Sequence, residues 1–159
     1  MFKKIIKNNK NKKGFGLIEL LVVISIIALL STIAIISLNS AKEKARDAKR
    51  IADAKQIQIA LDIYFNDKEL YPKTTETIIL GNGNYSCLNG NGFVTSCDTE
   101  PIYIKSIPSA PIPPQDNKYS YASSDGNDYQ LSFTLEKVNQ NLGAGKNCIA
   151  TKDKAECVE

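Results

Sequence analysis

Apolar and polar positions divide the first half of the chain into three stretches. Residues 1–13 are dominated by lysine and asparagine and have no apolar periodicity. Residues 15–38, which follow Gly14, read F-G-L-I-E-L-L-V-V-I-S-I-I-A-L-L-S-T-I-A-I-I-S-L, and Glu19 is their single charge. A helix of that length extends about 36 Å, enough to cross a hydrocarbon layer of roughly 30 Å. A carboxylate inside such a run is costly and marks a pairing with some other group. From Ser40 to Phe65 the pattern changes. There is no Gly or Pro, good helix formers abound, and Ile51, Ala54, Ile57, Leu61, Tyr64 and Phe65 recur at steps of three or four, apart from the adjacent final pair. One helix is therefore predicted to run from a fully apolar half into an amphipathic half. It should stop at Tyr71-Pro72, because proline disfavours helix at the residue before it.

Beyond Pro72 the pattern predicts a small head. Residues 73–117 are loop-rich, with flexible turns at Gly81–Asn84 and Asn89–Gly92. A short strand or helical turn is expected at Glu76–Leu80 and an extended piece at Ile102–Ile104. Pro108, Pro111, Pro113 and Pro114 make a stiff connector. Tyr129, Leu131, Phe133 and Leu135 alternate with polar residues, and Tyr119 and Tyr121 do the same upstream. Ser124-Asp125-Gly126-Asn127-Asp128 supplies turn chemistry between them, so a hairpin laid on the Ile51–Phe65 stripe is predicted. The fold class is α+β: a long N-terminal helix packed on a small antiparallel β head. The expected segments are 1–14, 15–38 (apolar helix half), 39–71 (amphipathic half) and 72–159 (head with a C-terminal hairpin).

Composition narrows the function. The net charge of +3 becomes −3 once residues 1–14 are set aside, so no nucleic-acid surface is indicated. There is no histidine, and no nucleophile–base pair or nucleotide loop is evident; enzyme activity is not expected. All four cysteines follow the apolar segment, an even count on the exported side that indicates disulfides. Three connectivities are possible, and nearest-neighbour pairing gives Cys87–Cys97 and Cys148–Cys157. No zinc spacing is present. The charges of residues 42–55, with Asp47–Arg50 and Lys49–Asp53 in pairing register, read as a solvated helix face, or alternatively as contacts with neighbouring subunits.

Six lysines precede Gly14, and Phe15-Gly16-Leu17-Ile18-Glu19-Leu20 follows it. A secretory signal is cut after its apolar region, whereas here the candidate cut, Gly14–Phe15, lies before it. With Ala45–Arg50 and the closing Tyr71-Pro72, this arrangement resembles type IV pilins and type II secretion pseudopilins over roughly residues 8–72. Gly16 stands where many members carry Thr or Ser. The resemblance implies a pilin-like fold. It also implies a leader, residues 1–14, removed by a prepilin peptidase, and N-methylation of Phe15. Glu19 and Phe15 would act in subunit assembly. The implied partners are further copies or other pilin subunits, the peptidase, an inner-membrane assembly platform and membrane lipid. The chain would span the cytoplasmic membrane once with its head exported, then enter a cell-surface or periplasmic filament. Charge bias does not set that orientation, since Lys42, Lys44, Arg46, Lys49 and Arg50 follow the apolar half closely.

No cofactor is expected. Major pseudopilins carry calcium in C-terminal loops, so the resemblance admits calcium among the oxygen donors Asp116, Asn117, Asp125, Asn127 and Asp128, chiefly the last three. Their spacing fits no calcium-loop signature, and Asp-Gly-Asn is already accounted for as a turn. The rival reading from another class is a monomeric membrane-anchored domain whose head binds a ligand outside the cell. It differs in keeping its leader and forming no fibre.

Overall fold

The structure is a computed structural model that describes residues 14–158. The chain divides at Asn39/Ser40 into two compact units. Helix α1, Leu17–Lys68, contributes to both. In the first unit every described residue, from Gly14 to Asn39, is exposed. The segment 1–13, which holds nearly all of the expected leader, lies outside the described residues.

The second unit is built on the helix stripe. Ala54, Ile57, Ala60 and Leu61 are buried, and Ile51, Tyr64 and Phe65 pack against the same core. The strands are β1 (Ile78–Leu80), β2 (Cys87–Asn89), β3 (Gly92–Val94), β4 (Ile102–Ile104), β5 (Tyr119–Ala122), β6 (Gln130–Thr134), β7 (Asn147–Ala150) and β8 (Ala155–Val158). They form a five-stranded sheet of order β1-β5-β6-β7-β8 and a three-stranded sheet of order β3-β2-β4, with every strand pair antiparallel. The expected hairpin is β5–β6, with Tyr121 opposite Leu131. Its inward positions Tyr119, Tyr121, Leu131 and Phe133 are buried with the helix stripe in one core.

Two expectations change. The helix ends at Lys68, before Tyr71-Pro72, and Glu69 takes a left-handed conformation with φ 60°. Tyr71 is drawn into the core and its N–H bonds to the Gly126 carbonyl at 2.8 Å, a partner that continuing helix would deny it. The turn at Asn89–Gly92 is no loose loop. Asn89 and Gly92 pair across β2 and β3, and the Asn89 side chain accepts the Asn91 N–H at 2.9 Å. Two residues between short apolar runs make a tight hairpin, and Gly92 with φ 99° supplies the left-handed geometry. A further hairpin, β7–β8, closes the chain over the Cys148–Cys157 stretch, turning at Lys152-Asp153 and closed by Thr151 N–H to Lys154 O at 2.8 Å.

The outer edge of β8 is covered. Cys157 N–H bonds to Leu142 O at 2.6 Å, and Gly143 bridges Cys157 in parallel. Gly143 has φ 136°, and a Cβ there would lie 2.2 Å from the Cys157 carbonyl oxygen, so only glycine lets this segment cap the edge.

Candidate functional site

At the start of α1, Gly16 is the residue before the first helical position and Glu19 is the third residue of the helix. The Gly16 N–H donates to a Glu19 carboxylate oxygen at 3.0 Å. This is the back-bond of a capping box, and it sets a negative group against the positive end of the helix dipole. A Cβ on Gly16 would meet Glu19 at an ordinary 3.6 Å, so the site has room for the Thr or Ser of similar chains. Phe15 is 77% exposed, and nothing lies within 4 Å of a Cβ built on Gly14. Further along, Ser25, Ser31 and Thr32 donate to carbonyls of their own helix, each at 2.7 Å. A helix facing hydrocarbon must satisfy its polar groups this way. Glu19 remains the one ionisable group on an exposed apolar helix half.

A second constellation lies in the amphipathic half. Arg50 is fully buried. One of its terminal nitrogens donates to Asp47 at 2.5 Å and to Glu136 at 2.9 Å, and the other to the carbonyls of Pro111, at 2.9 Å, and Pro113. Arg46 grips Glu136 with two bonds of 2.6 Å. Asp47 also accepts the backbone N–H groups of Glu136 and Lys137 at 2.8 and 3.0 Å. Next along the face, Asp53 accepts the Tyr119 hydroxyl at 2.9 Å. Arg50 Nε is buried without a partner.

The electrostatics follow from this geometry. The hydrogen bonds from Arg46, then those from Arg50, hold the Glu136 carboxyl down at about 2 against its ordinary 4.5. Burial, then the bond to Asp53, pushes the Tyr119 hydroxyl well above its usual range. Burial also raises Tyr129, to about 12. The bonds of Arg46, Arg50 and Asp47 run to segments distant in sequence, so the cluster acts as a clamp. It fastens the proline connector and the segment after β6 to the helix.

This corrects the reading of residues 42–55 as a solvated face at Asp47, Arg50 and Asp53, while Lys42, Lys44, Lys49 and Lys55 are exposed as that reading has them. Asp47 and Arg50 do meet, but both are buried, and Asp53 turns to Tyr119. The missed signal is in the spacing. Asp47 and Arg50 extend the same three-and-four rhythm as Ala54, Ile57 and Leu61, so they occupy the inward face. Glu136, in an apparently exposed position after β6, carried no comparable signal.

The cysteines form two disulfides, Cys87–Cys97 and Cys148–Cys157. Cys148 and Cys157 face each other directly across β7 and β8. The calcium candidates have other partners, and Asn117 stands apart from the turn. Asn117 donates to Thr134 at 3.2 Å, at the far end of β6 from the turn. Within the turn, Asp125 is occupied by the Asn127 N–H and side-chain amide at 3.0 and 2.8 Å. Asp128 accepts the Tyr129 N–H at 2.7 Å, and the Lys152 ammonium takes the Asn127 carbonyl at 3.2 Å. Among the described residues no group of three or more His, Cys, Asp or Glu is placed to hold a metal ion.

A helix that passes from an unburied apolar half with one carboxylate near its start into an amphipathic half packed on antiparallel sheets defines a pilin-like protein. The family model for the prokaryotic N-terminal methylation motif matches residues 9–35. The type II secretion system core protein G of Vibrio cholerae is 30% identical over 142 residues, spanning 87% of this chain and 90% of that protein. The proteins of the same name from Escherichia coli and Pectobacterium carotovorum are 38% and 37% identical, each over 65 residues. Those two matches cover 41% of this chain and 45% and 42% of the relatives. No solved structure gives a significant match. The chain belongs to the type II secretion system core protein G family, the pseudopilins.

Proposed function

We propose that this chain is made as a precursor, cut at Gly14–Phe15 by a prepilin peptidase and methylated on the new Phe15 amine. Residues 15–38 hold it in the cytoplasmic membrane with the head exported, until an assembly platform adds it to a filament of like subunits. The observation that carries this reading is the pairing of an entirely exposed apolar helix half with one carboxylate at its start, on a chain of this family.

Glu19 has a specific role in the proposal. Cleavage creates a positive amine on Phe15, four residues or about 6 Å along the helix from Glu19. An unpaired charge in low dielectric is expensive. A subunit whose amine meets the Glu19 of one already docked is therefore held in one register, which apolar contacts alone specify poorly. The Gly16 N–H engages the carboxylate only partly, since a carboxylate has about four acceptor positions.

The test is the intact mass and N-terminal sequence of protein recovered from membranes, with electron microscopy of sheared fibres. Wild type should begin at methylated Phe15, and Gly14→Val should keep its leader. Glu19→Ala should be cleaved yet yield few fibres, with Glu19→Asp intermediate. Full-length wild-type protein in cells that possess the peptidase would restore the anchored-monomer reading, and normal fibres from Glu19→Ala would end the pairing role.

A further inference from the structure

Five cations follow the apolar half within twelve residues, on the side of the membrane where the positive-inside rule disfavours them. The structure separates them into two groups. Arg46 and Arg50 are consumed by the clamp inside the head. Lys42, Lys44 and Lys49 are exposed, and among the described residues none of them makes an ion pair or side-chain hydrogen bond. The acids interspersed with them are answered elsewhere. Glu43 pairs with Lys137 at 2.8 Å, and Lys137 also reaches Ser40 at 2.9 Å, while Asp47 belongs to Arg50 and the backbone after β6. Three ammonium groups are thus left without countercharge just beyond the apolar run.

Their spacing along α1 suits one kind of partner. Counted from Leu38, Lys42, Lys44 and Lys49 lie about 6, 9 and 16 Å further along the helix axis. The headgroup layer of a bilayer is roughly 5–7 Å deep on each side. Lysine stems lie along apolar surface and carry the ammonium several ångströms toward a preferred layer. Lys42 and Lys44 therefore reach the phosphates, and Lys49, whose backbone stands about 10 Å beyond that layer, brings its ammonium within about one Debye length, roughly 8 Å, of them only when its stem turns toward the bilayer. We propose that Lys42, Lys44 and Lys49 form a contact surface for the phosphates of anionic phospholipids in the leaflet where α1 leaves the bilayer. The proposal rests on the membrane-spanning reading of residues 15–38 above. It assigns these lysines to the subunit before assembly, and the contact is surrendered when the subunit leaves the bilayer.

The experiment uses the full-length chain in nanodiscs of phosphatidylcholine alone and of phosphatidylcholine mixed with phosphatidylglycerol. Modification by an amine-reactive reagent is followed lysine by lysine with mass spectrometry. Lys42 and Lys44 should react about fivefold more slowly in the anionic discs, with a smaller effect at Lys49. High salt should abolish the protection. Lys68, about 39 Å along α1 from Lys42, and Lys105 on β4's flank are the internal controls, and should not change. Equal reactivity in both lipids, or protection reproduced by soluble glycerol phosphate in neutral discs, overturns the proposal. A chain that fails to co-elute with neutral discs overturns the membrane reading and this surface with it. Uniform reactivity in a chain that does insert overturns the surface alone.

Discussion

The two halves of α1 treat charge in opposite ways. From Leu17 to Leu38 the helix carries one ionisable side chain, Glu19, exposed and bound only by a backbone N–H three residues away. From Ser40 onward it carries many, and the most deeply placed, Arg50, is enclosed by two carboxylates and two carbonyls of the same molecule. Among the described residues the first half answers its charge only with the Gly16 N–H, which leaves room for the outside partner proposed above. Around Arg50 the second half completes its charges internally and thereby anchors segments more than sixty residues away in sequence. A buried guanidinium held by carboxylates and carbonyls builds the head, whereas the exposed carboxylate on a greasy surface takes no part in it.

The sharpest way to break this contrast is Arg50→Ala. It leaves Glu136 to Arg46 and Asp47 to backbone N–H groups, frees the proline connector, and should cost about 3 kcal/mol of head stability in denaturant titrations of the detergent-solubilised chain, the low end for breaking a buried pair. A loss below about 1 kcal/mol would show that the clamp is dispensable. Replacing Cys148 and Cys157 together by alanine should cost roughly 2.5–3 kcal/mol, the chain-entropy value for closing so short a loop. That loss would be read in the same titration, and reducing agent should add nothing at this hairpin. Gly143→Ala should cost about 1–3 kcal/mol, because the residue holds a backbone conformation hostile to side chains and its Cβ meets Cys157. An unchanged midpoint would mean that the cover over β8 is not tightly packed.

Acid probes the second half by another route. Glu136 has its folded carboxyl at about 2 against an ordinary 4.5. The stability it contributes is therefore fully present above pH 4.5 and is lost as pH falls toward 2. Glu136→Gln should flatten that part of the stability–pH curve, leaving the curve's slope near neutrality unchanged. The smallest effect belongs to the first half. Glu19→Ala should shift the head's unfolding midpoint by less than about 0.5 kcal/mol while it abolishes most fibres. A matching loss of head stability would erase the distinction between the halves.

The pattern of residues 15–65 was enough to specify a long helix, its change of character near residue 39, and the stripe on which the head is built. Those properties repeat every three or four residues, and repetition is visible in a single strand of text. Strict alternation made the β5–β6 hairpin legible for the same reason. The tertiary structure decided what spacing cannot express. It determined what meets Asp47 and Arg50 on the inward face that their spacing gives them: the carbonyls of Pro111 and Pro113, the carboxylate of Glu136 and the backbone after β6. It decided that α1 stops at Lys68, because Tyr71 finds Gly126 across the β5–β6 turn. It set Asn117 apart from Asp125, which no distance in sequence revealed. A buried charge is tolerable only when partners from distant segments converge on it, and that convergence exists only once the chain has folded.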